Sequence, residues 1–113
     1  MKYMLFIYDN EDEWAALDES AQREVIGSHF AYTQALKDAG AYVSGAPLDH
    51  SKTGKRVRVS GVQDGPFADG KETLGGYYMI EAKHLDEALD WAARCPGASY
   101  GHIEVRPLWN IGE

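Results

Sequence analysis

The sequence predicts an α+β domain on the split βαβ plan: an antiparallel sheet with two helices packed on one of its faces. Three observations carry this. Apolar runs and helical stretches follow one another as strand, helix, strand, strand or hairpin, strand, helix, strand along 113 residues. The stretch from Glu19 to Asp38 repeats its apolar side chains at helical spacing. The first and fourth strands are apolar on both sides, so neither face of the sheet reads as solvated.

Taken in order, Lys2 to Tyr8 is a strand with Tyr3, Leu5 and Ile7 on one side and Met4, Phe6 and Tyr8 on the other. An acidic connection, Asp9 to Glu13, leads to a short helical turn at Trp14 and Leu17, and Asp18 or Ser20 caps the first long helix. That helix stops at Gly40, a good C-terminal glycine. Advanced by 100° per residue, Val25, Ile26, Tyr32, Thr33 and Leu36 fall within about 60° of His29, which places His29 in the middle of the inward stripe. A second strand covers Tyr42 to Ser44 and is interrupted by Gly45 and Pro47. Lys55 to Ser60 alternates strictly and reads as an edge strand with one wet face, after which Gly61 turns the chain. Leu74 to Ala82 is a strand. The second helix spans Leu85 to Arg94 with Leu85, Ala88, Leu89 and Ala92 inward and Trp91 further round, and Gly101 to Trp109 is the last strand.

These segments share one core, so residues 1–113 form a single domain. A net charge of −7 disfavours nucleic acid, whose recognition rests on clustered cations. Lys52, Lys55, Arg56 and Arg58 do cluster, as the solvated edge of a hairpin. The apolar N-terminal run meets Asp9 too soon for a signal peptide or a membrane span, so a cytoplasmic protein is expected. Cys95 stands alone, which rules out an intrachain disulfide, and its place at the end of an apolar helix marks a buried thiol. With both sheet faces apolar, a second copy packed sheet to sheet would supply the missing cover, and a symmetric homodimer enclosing a small-molecule pocket is expected.

Between Gln63 and Tyr78, glycine, proline, charge and aromatic residues are concentrated. Asp64-Gly65-Pro66 reads as a turn in which Gly65 can take positive φ and the Asp64 carboxylate bonds nearby amides. Phe67 plugs it into apolar surroundings, and Gly75-Gly76 admits a close backbone or ligand beside Tyr77. The motif Asp64-Gly65-Pro66-Phe67, followed by Lys71-Glu72 and Leu74-Gly75-Gly76-Tyr77-Tyr78, resembles the YCII-related family, in its branch named for Asp-Gly-Pro-Phe. The opening Lys2-Tyr3-Met4-Leu5 and the closing Glu104-Val105-Arg106-Pro107 also match. Asp69 stands where that family more usually has Glu.

The resemblance implies a ferredoxin-like domain that dimerises through its sheets into a dimeric α/β barrel. It also implies an acid/base pair made by a first-helix histidine and an aspartate, here His29 and Asp64. One branch of the family performs dehydrochlorination of a chlorinated hydroxyhydroquinone, so a cofactor-independent lyase acting on an aromatic or phenolic molecule is the implied chemistry. Phe67, Lys71, Gly75, Gly76 and Tyr77 are the expected substrate-binding residues. An imidazole suits proton transfer near neutrality, and a carboxylate on its other nitrogen stabilises the imidazolium. Beside this stands a structural reading: His29 as a core histidine bonded to a tyrosine or a carbonyl, and Asp64 as a turn cap. Relatives of the branch are often encoded beside extracytoplasmic-function sigma factors, which implies the alternative of a non-catalytic, stress-linked ligand-binding module. The four histidines show no close-spaced ligand pair and have no cysteine partners, so no metal is expected, and no nucleotide fingerprint or other cofactor signature occurs.

Overall fold

A computed structural model describes residues 1–67 and 70–112; Asp69 lies outside the described residues. The elements are β1 (Lys2–Asp9), α1 (Glu11–Ala16), α2 (Glu19–Asp38), β2 (Tyr42–Pro47), a 3-10 turn (Ser51–Thr53), β3 (Lys55–Arg58), β4 (Gly61–Asp64), β5 (Thr73–Glu81), α3 (Leu85–Arg94), α4 (Gly97–Tyr100) and β6 (His102–Pro107). The four-stranded sheet has the order β2-β5-β1-β6 with every pairing antiparallel, and the helices lie on one face. This is the ferredoxin-like plan. The sheet is open, with β2 and β6 as edges, and among the described residues no sheet closes into a barrel. The α/β barrel expectation is thereby corrected.

Alternation along β1 and β5 builds the core. Tyr3, Leu5 and Ile7 from β1 and Tyr78 and Ile80 from β5 are buried under the helices, where they meet Tyr32 and Leu36 of α2 and Ala88, Trp91 and Ala92 of α3. Leu5, Leu36, Ile80 and Cys95 are the largest side chains fully enclosed. Burial pushes the Cys95 thiol up to about 11, as befits an inert sulfur. The other side chains of the same strands, Met4, Phe6, Tyr77 and Met79, are half-buried on the open face.

Caps set the helix ends. Asn10 accepts from the amides of Asp12 and Glu13, Asp18 from Ala21, and His84 from Glu87. Gly40, with φ +70°, ends α2 in the left-handed conformation that glycine takes without penalty.

Four local expectations are corrected. Trp91, not Leu85 or Leu89, turns inward from α3, because Tyr32 donates to the Trp91 carbonyl at 2.6 Å and draws that side of the helix onto α2. The interrupted second strand runs on to Pro47, whose missing donor is tolerated at a sheet edge. Gly61–Asp64 is a strand pairing with β3, so the basic segment is a complete hairpin projecting from a slab only 18 Å thick. Gly65 does not take positive φ. Glycine is required there because a Cβ would lie 2.7 Å from the Ser51 carbonyl oxygen.

Candidate acid/base site

His29 lies on α2, half-buried, with both ring nitrogens engaged: Nδ1 is 3.0 Å from the Tyr78 hydroxyl and Nε2 is 2.7 Å from that of Tyr100. The Thr33 hydroxyl, one turn along the same helix, reaches the Tyr78 oxygen at 3.4 Å. Burial pushes the His29 pKa below its ordinary value, so the ring is neutral at pH 7. A neutral imidazole has one donor and one acceptor nitrogen, so one tyrosine donates to it while the other accepts. Thr33, Tyr78, His29 and Tyr100 therefore form a single hydrogen-bonded line.

Each member is positioned by an identifiable local feature. Tyr78 lies across β2 because Gly45 has no side chain; a Cβ there would sit 2.7 Å from the tyrosine ring. Tyr100 ends α4, and Gly101 then passes so close to β1 that a Cβ would lie 2.0 Å from the Tyr8 carbonyl oxygen. This tight passage sets Tyr100 near Asp9. Burial, and after it the Asp9 charge, push the Tyr100 hydroxyl up to about 12.

Asp9 is brought in by an irregularity. The β1–β5 register slips between Ile7 and Tyr8, leaving Gly75 without a partner, and a Cβ on Gly75 would lie 2.7 Å from the Asp9 carboxylate. Burial, and then the charges of Glu11 and Glu72, raise the Asp9 pKa. Two tyrosine hydroxyls, a neutral imidazole and a carboxylate whose pKa burial raises thus lie at one end of the sheet, on its helix side.

The residues expected from the sequence are not all gathered here. Asp64 is at the end of β4, largely exposed, with its carboxylate 2.6 Å from Lys55 Nζ, and no hydrogen bond joins it to His29. The His29–Asp64 pair that the resemblance implies has no direct hydrogen bond within the chain, Asp64 being engaged by Lys55 where β3 and β4 meet at the base of the hairpin. Phe67 packs at the hairpin base under the Arg56 guanidinium, 4.3 Å above its ring. Lys71 is exposed. Gly75 makes room for Asp9, and Gly76 for β2, since a Cβ there would meet the Ala46 carbonyl oxygen at 3.0 Å. Tyr77 faces the open side, opposite Phe6.

Asp9 and Tyr100 were missed by the sequence reading. Asp9 looked like part of an acidic connection, and Tyr100 lay in an unrecognised helical turn. Alternation sets Tyr77 and Tyr78 on opposite faces of β5 but does not show what the Tyr78 hydroxyl meets. Among the described residues no group of three His, Cys, Asp or Glu side chains could hold a metal ion. No helix there is long and apolar enough to cross a membrane.

Fold and site together define a small ferredoxin-like α+β domain with a histidine hydrogen-bonded between two tyrosines under its helices. The chain belongs to the YCII-related family, whose domain model matches residues 1–111. It is 35% identical over 114 residues to an uncharacterised protein of Rhizobium meliloti (strain 1021), covering 96% of this chain and 92% of that one. Among solved structures it is similar to the 5-chloro-2-hydroxyhydroquinone dehydrochlorinase of Burkholderia phenoliruptrix AC1100 in complex with 2,5-dihydroxybenzoquinone. That likeness has a TM-score of 0.58 at 18% identity, covering 96% of this chain and 94% of the other, and establishes the fold.

Proposed function

We propose that this chain, within the Asp-Gly-Pro-Phe branch of its family, is a cofactor-independent enzyme of lyase type acting on a small aromatic or phenolic molecule. The observation that carries this is the His29 imidazole held neutral between two tyrosine hydroxyls. Tyr100, the exposed end of the line, is where a substrate hydroxyl meets it. The substrate proton passes to the Tyr100 oxygen as the Tyr100 proton passes to His29 Nε2, which leaves an imidazolium whose Nδ1–H is donated to the Tyr78 oxygen. The phenolate then ketonises by taking that proton from His29 by way of Tyr100 onto the ring carbon that bears the leaving group, and ionisation of a second ring hydroxyl expels the group as an anion and leaves a quinone. Asp9, beside Tyr100, takes the carboxylate role first read onto Asp64. The solved dehydrochlorinase supports this substrate class by analogy of fold alone.

The same reading places the protein in the cytoplasm as a homodimer whose copies meet through the open face of Met4, Phe6, Tyr77 and Met79. The test is turnover of a panel of chlorinated and unchlorinated hydroxyhydroquinones with release of chloride measured. Full turnover by a folded His29→Ala variant would sink the acid/base role.

A second reading is favoured by one feature: both His29 nitrogens are already occupied by the chain's own hydroxyls. In it the domain binds a ligand without changing it, as a regulatory module, and His29→Ala weakens binding by about 1 kcal/mol, the worth of one hydrogen bond. A ligand found by thermal shift and then recovered as product by mass spectrometry excludes that reading for that ligand.

A further inference from the structure

The outer edge of β6 and the groove beside it take no part in the function proposed above. β6 ends the four-stranded sheet, with β1 on one side and, among the described residues, no strand on the other. The Leu108 amide donates to the Lys2 carbonyl at 3.0 Å, so the even-numbered residues of β6 turn their backbone groups toward β1. The amides and carbonyls of Ile103 and Val105 therefore point outward, an unpaired edge. Their side chains lie on the helix side, opposite Ile7 and Leu5, and with Leu89, Ala92 and Ala98 they line an apolar groove of about 260 Å³ between α3 and β6 that ends at Gly101. Glu104 and Arg106 project from the open face.

Beyond Pro107 the chain presents an apolar segment to solvent. Trp109 is 88% exposed, and Leu108 and Ile111 are exposed beside it. This segment does not turn back onto its own groove. The Leu108–Lys2 bond carries it straight on past Pro107, whereas the groove runs the other way, from Val105 back to Gly101.

We propose that a second copy of this chain docks here edge to edge, the two β6 strands antiparallel about a two-fold axis at Val105 and each Trp109 seated in the other copy's groove. Three features select this register. Val105 and the partner's Val105 exchange both of their outward hydrogen bonds, and the Ile103 amide meets the carbonyl of the partner's Pro107, the one outward group that residue has. Glu104 stands opposite the partner's Arg106, and the symmetry makes the pair twice. Trp109, continuing the strand on the helix side, falls opposite the partner's Gly101, where the groove ends and no side chain stands in its way.

Other registers lose these features. A slide of one residue sets charged side chains against apolar ones, and a slide of two sets Glu104 or Arg106 against its own copy. Both copies keep their helices on the same side, so the product is one eight-stranded sheet whose open face stays available. The contact is small and therefore weak, forming at higher protein concentration than the open-face dimer.

Sedimentation equilibrium of the full chain between about 5 and 500 µM tests it, for the wild type and for Phe6→Asp, in which the open face takes no part. In both, the mass found at the lowest concentration is expected to double across the range. The starting mass reports on the open face and the doubling on the edge, so the two contacts fail separately. In the Phe6→Asp background, Glu104→Arg alone or Arg106→Glu alone sets like charges opposite one another and abolishes the doubling. The two together restore it, because each pair re-forms with its signs exchanged, and this restoration also shows that the variants fold. Trp109→Ala raises the midpoint concentration about tenfold, as the loss of a buried aromatic anchor does. A mass that stays constant, a doubling that survives either single reversal, a double reversal that fails to restore it, or a midpoint unmoved by Trp109→Ala would each overturn the proposal.

Discussion

The His29 Nε2 atom and the Tyr100 hydroxyl lie 2.7 Å apart although 71 positions of chain separate them. The contact depends on α4, a single turn between α3 and β6, and on Gly101, which lets that turn lie against the end of β1. Removing only the hydroxyl is therefore the most economical test of the relay. Tyr100→Phe is expected to keep the fold and lower turnover by about 10²-fold, the lower end of what a positioned acid/base group supplies. Steady-state kinetics beside circular dichroism checks it, and unchanged turnover would remove Tyr100 from the mechanism.

Stability should also respond to pH through His29. Burial depresses its folded pKa, so below the unfolded value of about 6.5 the unfolded chain binds more protons than the native one. The His29 contribution is intact above that value and is lost as pH falls through the folded pKa. Urea midpoints measured between about pH 7.5 and 5 should fall for the wild type. They should fall less for His29→Gln, and parallel curves for the two proteins would contradict the assignment.

Asp9 carries the opposite sign. Burial and the neighbouring charges of Glu11 and Glu72 raise its folded pKa, so its charged form is disfavoured in the native state at neutral pH. Asp9→Asn should raise the melting temperature at pH 7 while lowering turnover, the pattern of a site that trades stability for chemistry. Differential scanning calorimetry and the activity assay together decide it. Asp64→Ala, by contrast, breaks only an exposed pair with Lys55 and should change stability by about 1 kcal/mol or less and leave turnover intact.

Gly45→Ala tests how Tyr78 is placed. The new methyl would lie 2.7 Å from the ring and force it off β2, at a cost of about 1–3 kcal/mol and with the Tyr78–His29 hydrogen bond lengthened. Denaturant unfolding measures the first effect and the His29 ring resonances the second.

The proposed dimer is tested on the open face. Phe6→Asp places a charge among Met4, Tyr77 and Met79 and should give a monomer by sedimentation velocity where the wild type sediments as a dimer. Equal sedimentation of the two proteins would dismiss the sheet face as the contact.

Much of the fold was legible because it is periodic. Alternation in β1 and β5, helical spacing from Glu19 to Asp38 and the glycine at 40 are local patterns that the structure reproduces, except that Ile26 of the expected inward stripe is 45% exposed. The hairpin's second strand was hidden because Gly61 to Asp64 has a single apolar residue, and α4 because one turn is too short to show a period. The inward turn of Trp91 was equally unreadable, since it follows from a hydrogen bond to Tyr32, 59 residues away.

For the site, residue type and spacing placed His29 on the inward stripe of α2, and the family resemblance made it a candidate acid/base group beside the reading of a core histidine bonded to a tyrosine. Its partners were a different matter. Whether Asp64 or Asp9 stands nearer the relay depends on a projecting hairpin, a bulge at Gly75 and the tight passage at Gly101. Those are contacts between segments far apart in the chain, made by steric room rather than by any pattern a local stretch can carry. Side-chain periodicity and composition therefore decided the architecture and the place of His29 in the helix stripe, and only packing decided which hydroxyls that histidine meets.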